Sequence, residues 1–190
     1  MNKIIWPLLL CAVLCGCGGG ETGNAVQEQY STLETARLEA EVTSHTSTDS
    51  RTFTLLCSYD ADGDAVTTVT APGELAGLTA VVSGTDMTLS SEGLQLPAGA
   101  SLDICPANCL PYLLRALADG YVLEQSSEVL DDAPCLRLAL DTTAPGGGKV
   151  LCAVWLDAEG LFPRYAEFSR NEQVVLTVKL LAFTCTTSEG

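Results

Sequence analysis

The thiol of Cys17 is the group in this sequence whose surroundings point most clearly to chemistry. It follows a single positive charge, Lys3, and an apolar run from Ile4 to Leu14. A short basic start followed by an apolar stretch is the layout of a secretory signal peptide. The run is much shorter than the ~20 residues with which a helix crosses a bilayer. We therefore expect residues 1–16 to be a signal peptide and not a permanent anchor.

The residues Leu14-Cys15-Gly16-Cys17 resemble the lipobox of bacterial prolipoproteins. In that family a diacylglyceryl group is added to the cysteine thiol, and cleavage leaves this cysteine as the first residue. The resemblance implies lipid attachment at Cys17, with the three residues before it as the cleavage motif. The glycines within 17–25 predict a flexible tether, so the acyl chains would hold the protein at the extracytoplasmic side of the cell membrane. The alternative is an ordinary signal peptide with an incidental cysteine.

The remaining candidates for catalysis or metal binding lack the partners that such chemistry needs. His45 is the sole histidine, and the sequence contains no Gly-x-Ser-x-Gly elbow for it to serve. Asp60, Asp62 and Asp64 are spaced like the start of a calcium loop, but Ala71 stands where that loop requires a glutamate. A hairpin turn is the better interpretation. The sequence therefore predicts no catalytic residue, no metal site and no cofactor, in a protein that is not an enzyme.

Six further cysteines leave two interpretations open. An even set in an exported chain can form up to three disulfides, with fifteen possible connectivities. Four of the six lie in strand-like runs, where a free thiol behaves as a small buried hydrophobe. A local bridge between the second and third is a further alternative. The six residues are Cys57, Cys105, Cys109, Cys135, Cys152 and Cys185.

The composition is acidic and apolar. The chain has 24 acidic and 9 basic side chains, a formal net charge of −15, and removal of Lys3 with the signal peptide would make it more negative. Such a surface repels nucleic acid and anionic headgroups, so neither is an expected partner. A hydrophobic content of 47% argues against disorder. We expect residues 26–190 to form one domain with a substantial core.

The sequence pattern predicts two helices, and strands for most of the remaining domain. The first is expected over Val26–Thr35. The second is expected to begin after Asn108, with Pro111 in its first turn, and to end near Gly120. Leu110, Leu113, Leu114 and Leu117 form an apolar stripe along this second helix. Elsewhere apolar and polar residues alternate with a period of two, which predicts about six strands before the second helix and about five after it.

An antiparallel meander of this length must curl in order to bury one face. The helix with the leucine stripe is then expected to cover that face. The predicted fold is mainly β (α+β): a curved antiparallel sheet forms an incomplete β-barrel, one amphipathic helix plugs it, and a short N-terminal helix is added.

The apolar faces of this arrangement are the expected place for a hydrophobic ligand. A solid core closed by the helix is the alternative, and a helix that swings out would convert one arrangement into the other. The residues expected to line a cavity are Phe53, Leu55, Tyr59, Leu110, Leu113, Leu114, Leu117, Leu138, Leu140 and Val154.

The order of elements resembles the LolA/LolB-like lipoprotein-carrier superfamily, and in particular its clostridial members that are lipoproteins, among them a spore-germination lipoprotein. The resemblance covers about residues 26 to 185, and implies an open barrel whose apolar concave face holds acyl chains or a partner's hydrophobic segment. It is carried by the segments Tyr30–Leu33, Val69–Pro72, Leu75–Leu78, Leu110–Leu117 and Leu161–Tyr165, together with the lipobox.

Three functions follow as hypotheses. The first is a membrane-anchored envelope lipoprotein whose LolA-like domain binds a hydrophobic ligand, either a lipid or an acyl chain. The second is a non-catalytic structural or regulatory partner of an envelope or spore-cortex enzyme. The third, an extracytoplasmic hydrolase, has the weakest support because no sequence feature selects a catalytic pair from the 24 acidic residues.

Overall fold

The computed structural model describes residues 19–46, 48–100, 103–144 and 147–188, with no side-chain description for 19–22, 99 and 100. The signal peptide and the lipobox residues Leu14, Cys15, Gly16 and Cys17 lie outside the described residues. Their roles remain predictions.

The first helix, α1 (Gly19–Ser31), begins earlier and ends earlier than the sequence predicts. Residues 19–25, expected to be part of a flexible tether, are therefore helical. Tertiary packing explains the difference, because Gly23 is buried and an added Cβ would lie 3.0 Å from Oε1 of Gln125. The helix ends where the Thr32 hydroxyl bonds the carbonyl oxygens of the preceding turn.

The second helix, α2 (Cys109–Asp119), lies where it is predicted. A single turn of 3₁₀-helix, Gly73–Leu75, is the third helical element among the described residues.

All strands of the described residues belong to one antiparallel sheet. The strands are β1 (Leu33–His45), β2 (Ser50–Asp60), β3 (Ala65–Ala71), β4 (Thr79–Ser83), β5 (Asp86–Ser91), β6 (Leu94–Ala100), β7 (Tyr121–Leu130), β8 (Ala133–Thr143), β9 (Lys149–Asp157), β10 (Pro163–Arg170) and β11 (Gln173–Thr187).

The sheet consists of two meanders, β1–β6 and β7–β11. They are joined by the pairing of the first strand with the last. Its spatial order is β6-β5-β4-β3-β2-β1-β11-β10-β9-β8-β7. The pair β1–β11 is the seam, and β6 and β7 are left as edges, so the sheet does not close. The prediction of a mainly β, incomplete barrel with two helices is confirmed.

Tight turns connect the hairpins. Asp131 and Asp132 both have φ near +55°, as do Asn171 and Glu172, which is the backbone of a two-residue turn whose twist matches the flanking strands. The predicted turn at Asp60–Asp64 is also present, where Oδ1 of Asp60 accepts a hydrogen bond from the Asp62 N–H.

Candidate functional site

The concave face of the sheet carries one row of apolar side chains from each of its central strands. Successive side chains of a strand point to opposite faces, so every second residue of β1, β8 and β9 is buried on this side. The row continues across the seam into β11. Its members, each at most 1% exposed, include Leu38, Val42, Leu55, Leu138, Leu140, Val154, Leu156, Phe168, Leu176 and Val178.

Helix α2 lies on this face with its leucine stripe inward. Leu110, Leu113, Leu114 and Leu117 are at most 1% exposed and belong to the same hydrophobic cluster as the strands. Spacing of three and four residues places all four on one side of a helix, which is why they reach the sheet together. Arg115 is exposed and marks the outer side.

The turn before α2 is held by its own hydrogen bonds and by an ion pair to β10. Oδ1 of Asn108 accepts a hydrogen bond from the Cys105 N–H at 2.8 Å, and its Nδ2 donates to the Asp103 carbonyl at 2.9 Å. The Asp103 carboxylate pairs with Nη2 of Arg170, at the end of β10, at 2.8 Å. The sequence suggested Asn108 as a helix cap, but it contained no signal for the contact of Asp103 with Arg170, 67 positions later.

Two further polar contacts involve Gly120, just after the C-terminal end of α2, and Tyr112, in its first turn. The Gly120 N–H donates to the Ala116 carbonyl, and a Cβ at Gly120 would lie 2.4 Å from that oxygen. The Tyr112 hydroxyl bonds the Thr142 hydroxyl, which in turn donates to the Val150 carbonyl. The first turn of α2 is therefore tied to the sheet by a polar contact, while apolar packing holds its leucine stripe.

The residues predicted to line a cavity come together as one cluster. Eight of the ten are almost completely buried between α2 and the sheet, and the other two, Phe53 and Tyr59, are partly buried at its margin. In this state they form a packed core. Their expected role as a ligand cavity therefore requires α2 to move, and it remains a prediction.

The six described cysteines are free thiols, so the local bridge between Cys105 and Cys109 is not formed. Cys57, Cys135 and Cys152 are buried on strands, as expected for thiols in strand-like runs, whereas Cys185 on β11 is only partly buried; Cys109 is buried in α2. Burial raises the pKa of the Cys57 thiol to about 11 and that of the Cys109 thiol well above its usual range. Since the thiolate is the reactive form, these groups are poor nucleophiles.

The polar candidates from the sequence do not form a catalytic or metal centre. The ring nitrogens of His45 lie 3.1 Å and 3.3 Å from the hydroxyls of Ser50 and Thr177, at the margin of the sheet. Within the described residues no three His, Cys, Asp or Glu side chains are grouped as metal ligands. Neither helix in that part of the chain has the length and apolar content to cross a membrane.

Comparison with known proteins finds similarity in structure alone. No protein-family model matches the sequence, and no curated protein matches it. A DUF1329 family protein from Desulfovibrio piger has a TM-score of 0.53 and 12% identity, with coverage of 90% of this chain and 94% of that one. At this identity the similarity shows the fold and no more.

Two further solved structures are similar to the chain at lower TM-scores. A LolA superfamily protein from Nitrosomonas europaea has a TM-score of 0.48 and 12% identity, covering 88% of this chain and 94% of that one. A chain in the complex of the CwlD amidase from Clostridioides difficile with the GerS lipoprotein has a TM-score of 0.36 and 20% identity, covering 94% and 96%.

Proposed function

We propose that this protein is a membrane-anchored envelope lipoprotein whose LolA-like domain takes up a hydrophobic ligand, a lipid or an acyl chain, on the concave face of its sheet. The acyl chains on Cys17 provide the anchor. The observation that carries the proposal is the position of α2, a leucine-striped helix that covers the apolar face of a sheet that does not close.

The contacts of α2 are suited to a helix that opens. An exposed ion pair such as Asp103–Arg170 contributes about 0–1 kcal/mol, so the N-terminal fastening is weak. The burial of four leucines is strong, at about 1.5–3 kcal/mol each. A ligand that replaces these leucine contacts with its own methylene groups would offset most of the cost of displacing the helix.

The anchoring part is tested by metabolic labelling with a radioactive fatty acid in a bacterial host. The wild-type chain is expected to incorporate the label and to sediment with membranes. Cys17→Ala should abolish incorporation, whereas the matched variant Cys15→Ala should retain it. Equal labelling of wild type and Cys17→Ala would refute attachment at this thiol.

The ligand part is tested by native mass spectrometry and by hydrogen exchange of the full chain with and without added phospholipid. A co-purifying lipid, together with faster amide exchange across residues 109–119 when lipid is present, is the expected result. Absence of bound lipid combined with unchanged protection of α2 would mean that the packed core is the sole state of this face.

A second candidate function, a non-catalytic partner of an envelope enzyme, is favoured by the two edge strands. Leu94 on β6 and Tyr121 and Val129 on β7 are each more than 70% exposed, at strands whose outer backbone groups have no neighbour in the sheet. An apolar sheet edge can pair with a strand of another protein. Substitution of Val129 by lysine should weaken such a complex without affecting lipid uptake.

A further inference from the structure

A surface groove opens at one end of the sheet where β10 and β11 separate. The last residues paired between these strands are Tyr165 and Lys179, after which β11 continues to Thr187 beside β1 alone. The space left on the other side of β11 is a groove of about 460 Å³. This volume lies within the usual range of small-molecule sites, ~300–1,000 Å³.

Apolar side chains make up much of the lining of the groove. The rings of Phe162 and Phe183 meet with centroids 5.4 Å apart, and Leu181, at a bulge in β11, is 52% exposed beside them. Phe162 is 41% exposed although its partner ring is half-buried. These side chains leave apolar surface uncovered next to a ready-made cleft.

The turn that carries Phe162 is built by hydrogen bonds and does not depend on a ligand for its shape. The Asp157 carboxylate accepts hydrogen bonds from the N–H groups of Glu159, Gly160 and Phe162, at 3.2, 2.6 and 2.8 Å. Helix α1 supports the same turn, because Nε2 of Gln29 donates to the Gly160 carbonyl at 3.1 Å. The groove is therefore preorganised, which lowers the entropic cost of binding.

Two cations lie in the groove without a carboxylate partner. Among the described residues, neither Arg164 nor Lys179 has an acidic group within 4.0 Å, whereas Arg51, Arg137, Lys149 and Arg170 all form ion pairs. Nη1 of Arg164 donates to the Leu130 carbonyl at 3.5 Å and lies 3.7 Å from Sγ of Cys135. Within the described part of the chain Arg37 and Arg115 have no ion pair either, so Arg164 and Lys179 are distinguished by their place: both line the same groove, beside its apolar side chains.

We propose that this groove binds a single-chain anionic amphiphile, a fatty acid, with its carboxylate between Arg164 and Lys179 and its alkyl chain against Phe162, Leu181 and Phe183. The guanidinium is a planar donor that suits a carboxylate, and the exposed ammonium adds a second positive charge. The site is separate from the concave face and does not require α2 to move.

The experiment uses the full chain in its membrane and two photoactivatable probes, diazirine-bearing palmitate and the matching alcohol. Mass spectrometry of the cross-linked peptides locates each probe. Palmitate is expected to label the peptides that contain Phe162 and Leu181. The alcohol is expected to label them about tenfold less, since it lacks the negative charge that the two cations would bind.

Two double variants complete the test. Arg164→Gln with Lys179→Gln should reduce palmitate labelling of the groove about tenfold and leave alcohol labelling unchanged. Arg51→Gln with Arg115→Gln removes the same charge elsewhere and should have no effect. The proposal is overturned if the groove variant labels as wild type, if both probes weaken together, or if palmitate labels an acceptor on α2 instead. The last outcome would support the concave site alone.

Discussion

The hydroxyl of Tyr30 on α1 donates a hydrogen bond to the carbonyl oxygen of Leu161, 3.1 Å away and 131 positions later in the chain. Tyr30 is buried, and its ring lies against Phe183 with centroids 6.4 Å apart. A single side chain thus connects the N-terminal helix, the turn between β9 and β10, and the last strand. The N-terminal helix is consequently a part of the domain and not an appendage.

Loss of this hydroxyl should lower the stability of the whole domain. Tyr30→Phe removes the hydrogen bond while it keeps the ring, so we expect the free energy of unfolding to fall by about 1 kcal/mol. Urea denaturation followed by circular dichroism measures it. Tyr121→Phe is the control, because Tyr121 is 72% exposed and the change should be close to zero. Equal effects of the two variants would mean that the bond to Leu161 contributes nothing.

Deprotonation of the Cys57 thiol should lower the stability of the domain in alkaline solution. Desolvation raises the pKa of this thiol from 9.0 to about 11, against a smaller lowering by its contact with Thr67. The unfolded chain therefore loses this proton at a lower pH than the native state does. The free energy of unfolding is therefore unaffected by this group below pH 9. As the pH rises from 9 toward 11, it falls by about 2–3 kcal/mol because of this group.

Burial also raises the pKa of Cys152 and of Tyr30, so the loss should continue beyond that window. Cys57→Ala should therefore make the dependence on pH less steep between pH 9 and 11, without abolishing it. Chemical denaturation of both proteins at a series of pH values gives the two slopes. Identical slopes would show that Cys57 titrates alike in the folded and unfolded states.

Truncation of the leucine stripe should cost far more than truncation of an exposed leucine. Leu113 is fully buried between α2 and the sheet, and Leu113→Ala should destabilise the protein by about 2–5 kcal/mol. Leu94→Ala, at a residue 78% exposed on β6, should change stability by no more than about 0.5 kcal/mol. Thermal and urea unfolding compare the pair. A small effect at Leu113 would mean that α2 is loosely attached.

The carboxylate of Asp157 should be needed for the turn between β9 and β10. In Asp157→Asn one acceptor oxygen becomes an NH₂ group, which then faces a backbone N–H, so we expect a loss of about 1–3 kcal/mol. Asp62→Asn, on the exposed turn after β2, is the control and should be neutral. If both variants have the same urea midpoint of unfolding as the wild type, the turn does not depend on these hydrogen bonds.

The shape of the groove should depend on Gly160. A Cβ at this position would lie 2.8 Å from Cε2 of Phe162, so Gly160→Ala must displace the ring. The ring can turn toward solvent, and the stability change should stay below about 1 kcal/mol. Labelling of the Phe162 peptide by the palmitate probe should nevertheless fall. Gly73→Ala, where a Cβ meets nothing within 4 Å, should change neither property.

Local sequence patterns were sufficient for most individual elements. The leucine spacing predicted α2, alternation predicted the strands, and Asp60–Asp64 indicated a turn, because each of these depends on neighbours within a few residues. The start of α1 at Gly19 could not be predicted in this way. A glycine-rich segment is a poor helix former by itself, and its helical state depends on the contact of Gly23 with β7.

The remaining features are long-range pairings that leave no local signal. The groove exists because β10 ends its pairing at Tyr165–Lys179, a register that alternation along either strand does not determine. Phe53 and Tyr59 were grouped with the core leucines because strand periodicity gives the face of a residue but not its distance from the sheet margin. The contact between Asp103 and Arg170 likewise depends on the final three-dimensional arrangement.

The seam between β1 and β11 governs the order in which the protein can be assembled. Its hydroxyl pair Thr35–Thr186, 2.8 Å apart, joins residues separated by 151 positions. Each meander can form from nearby residues, but the two can pair only when the final strand is present. Until then β1 and β11 are unpaired edge strands of two separate half-sheets, and such a state is prone to aggregate. Because the proposed signal peptide directs this chain across a membrane, that interval lasts until β11 has been exported.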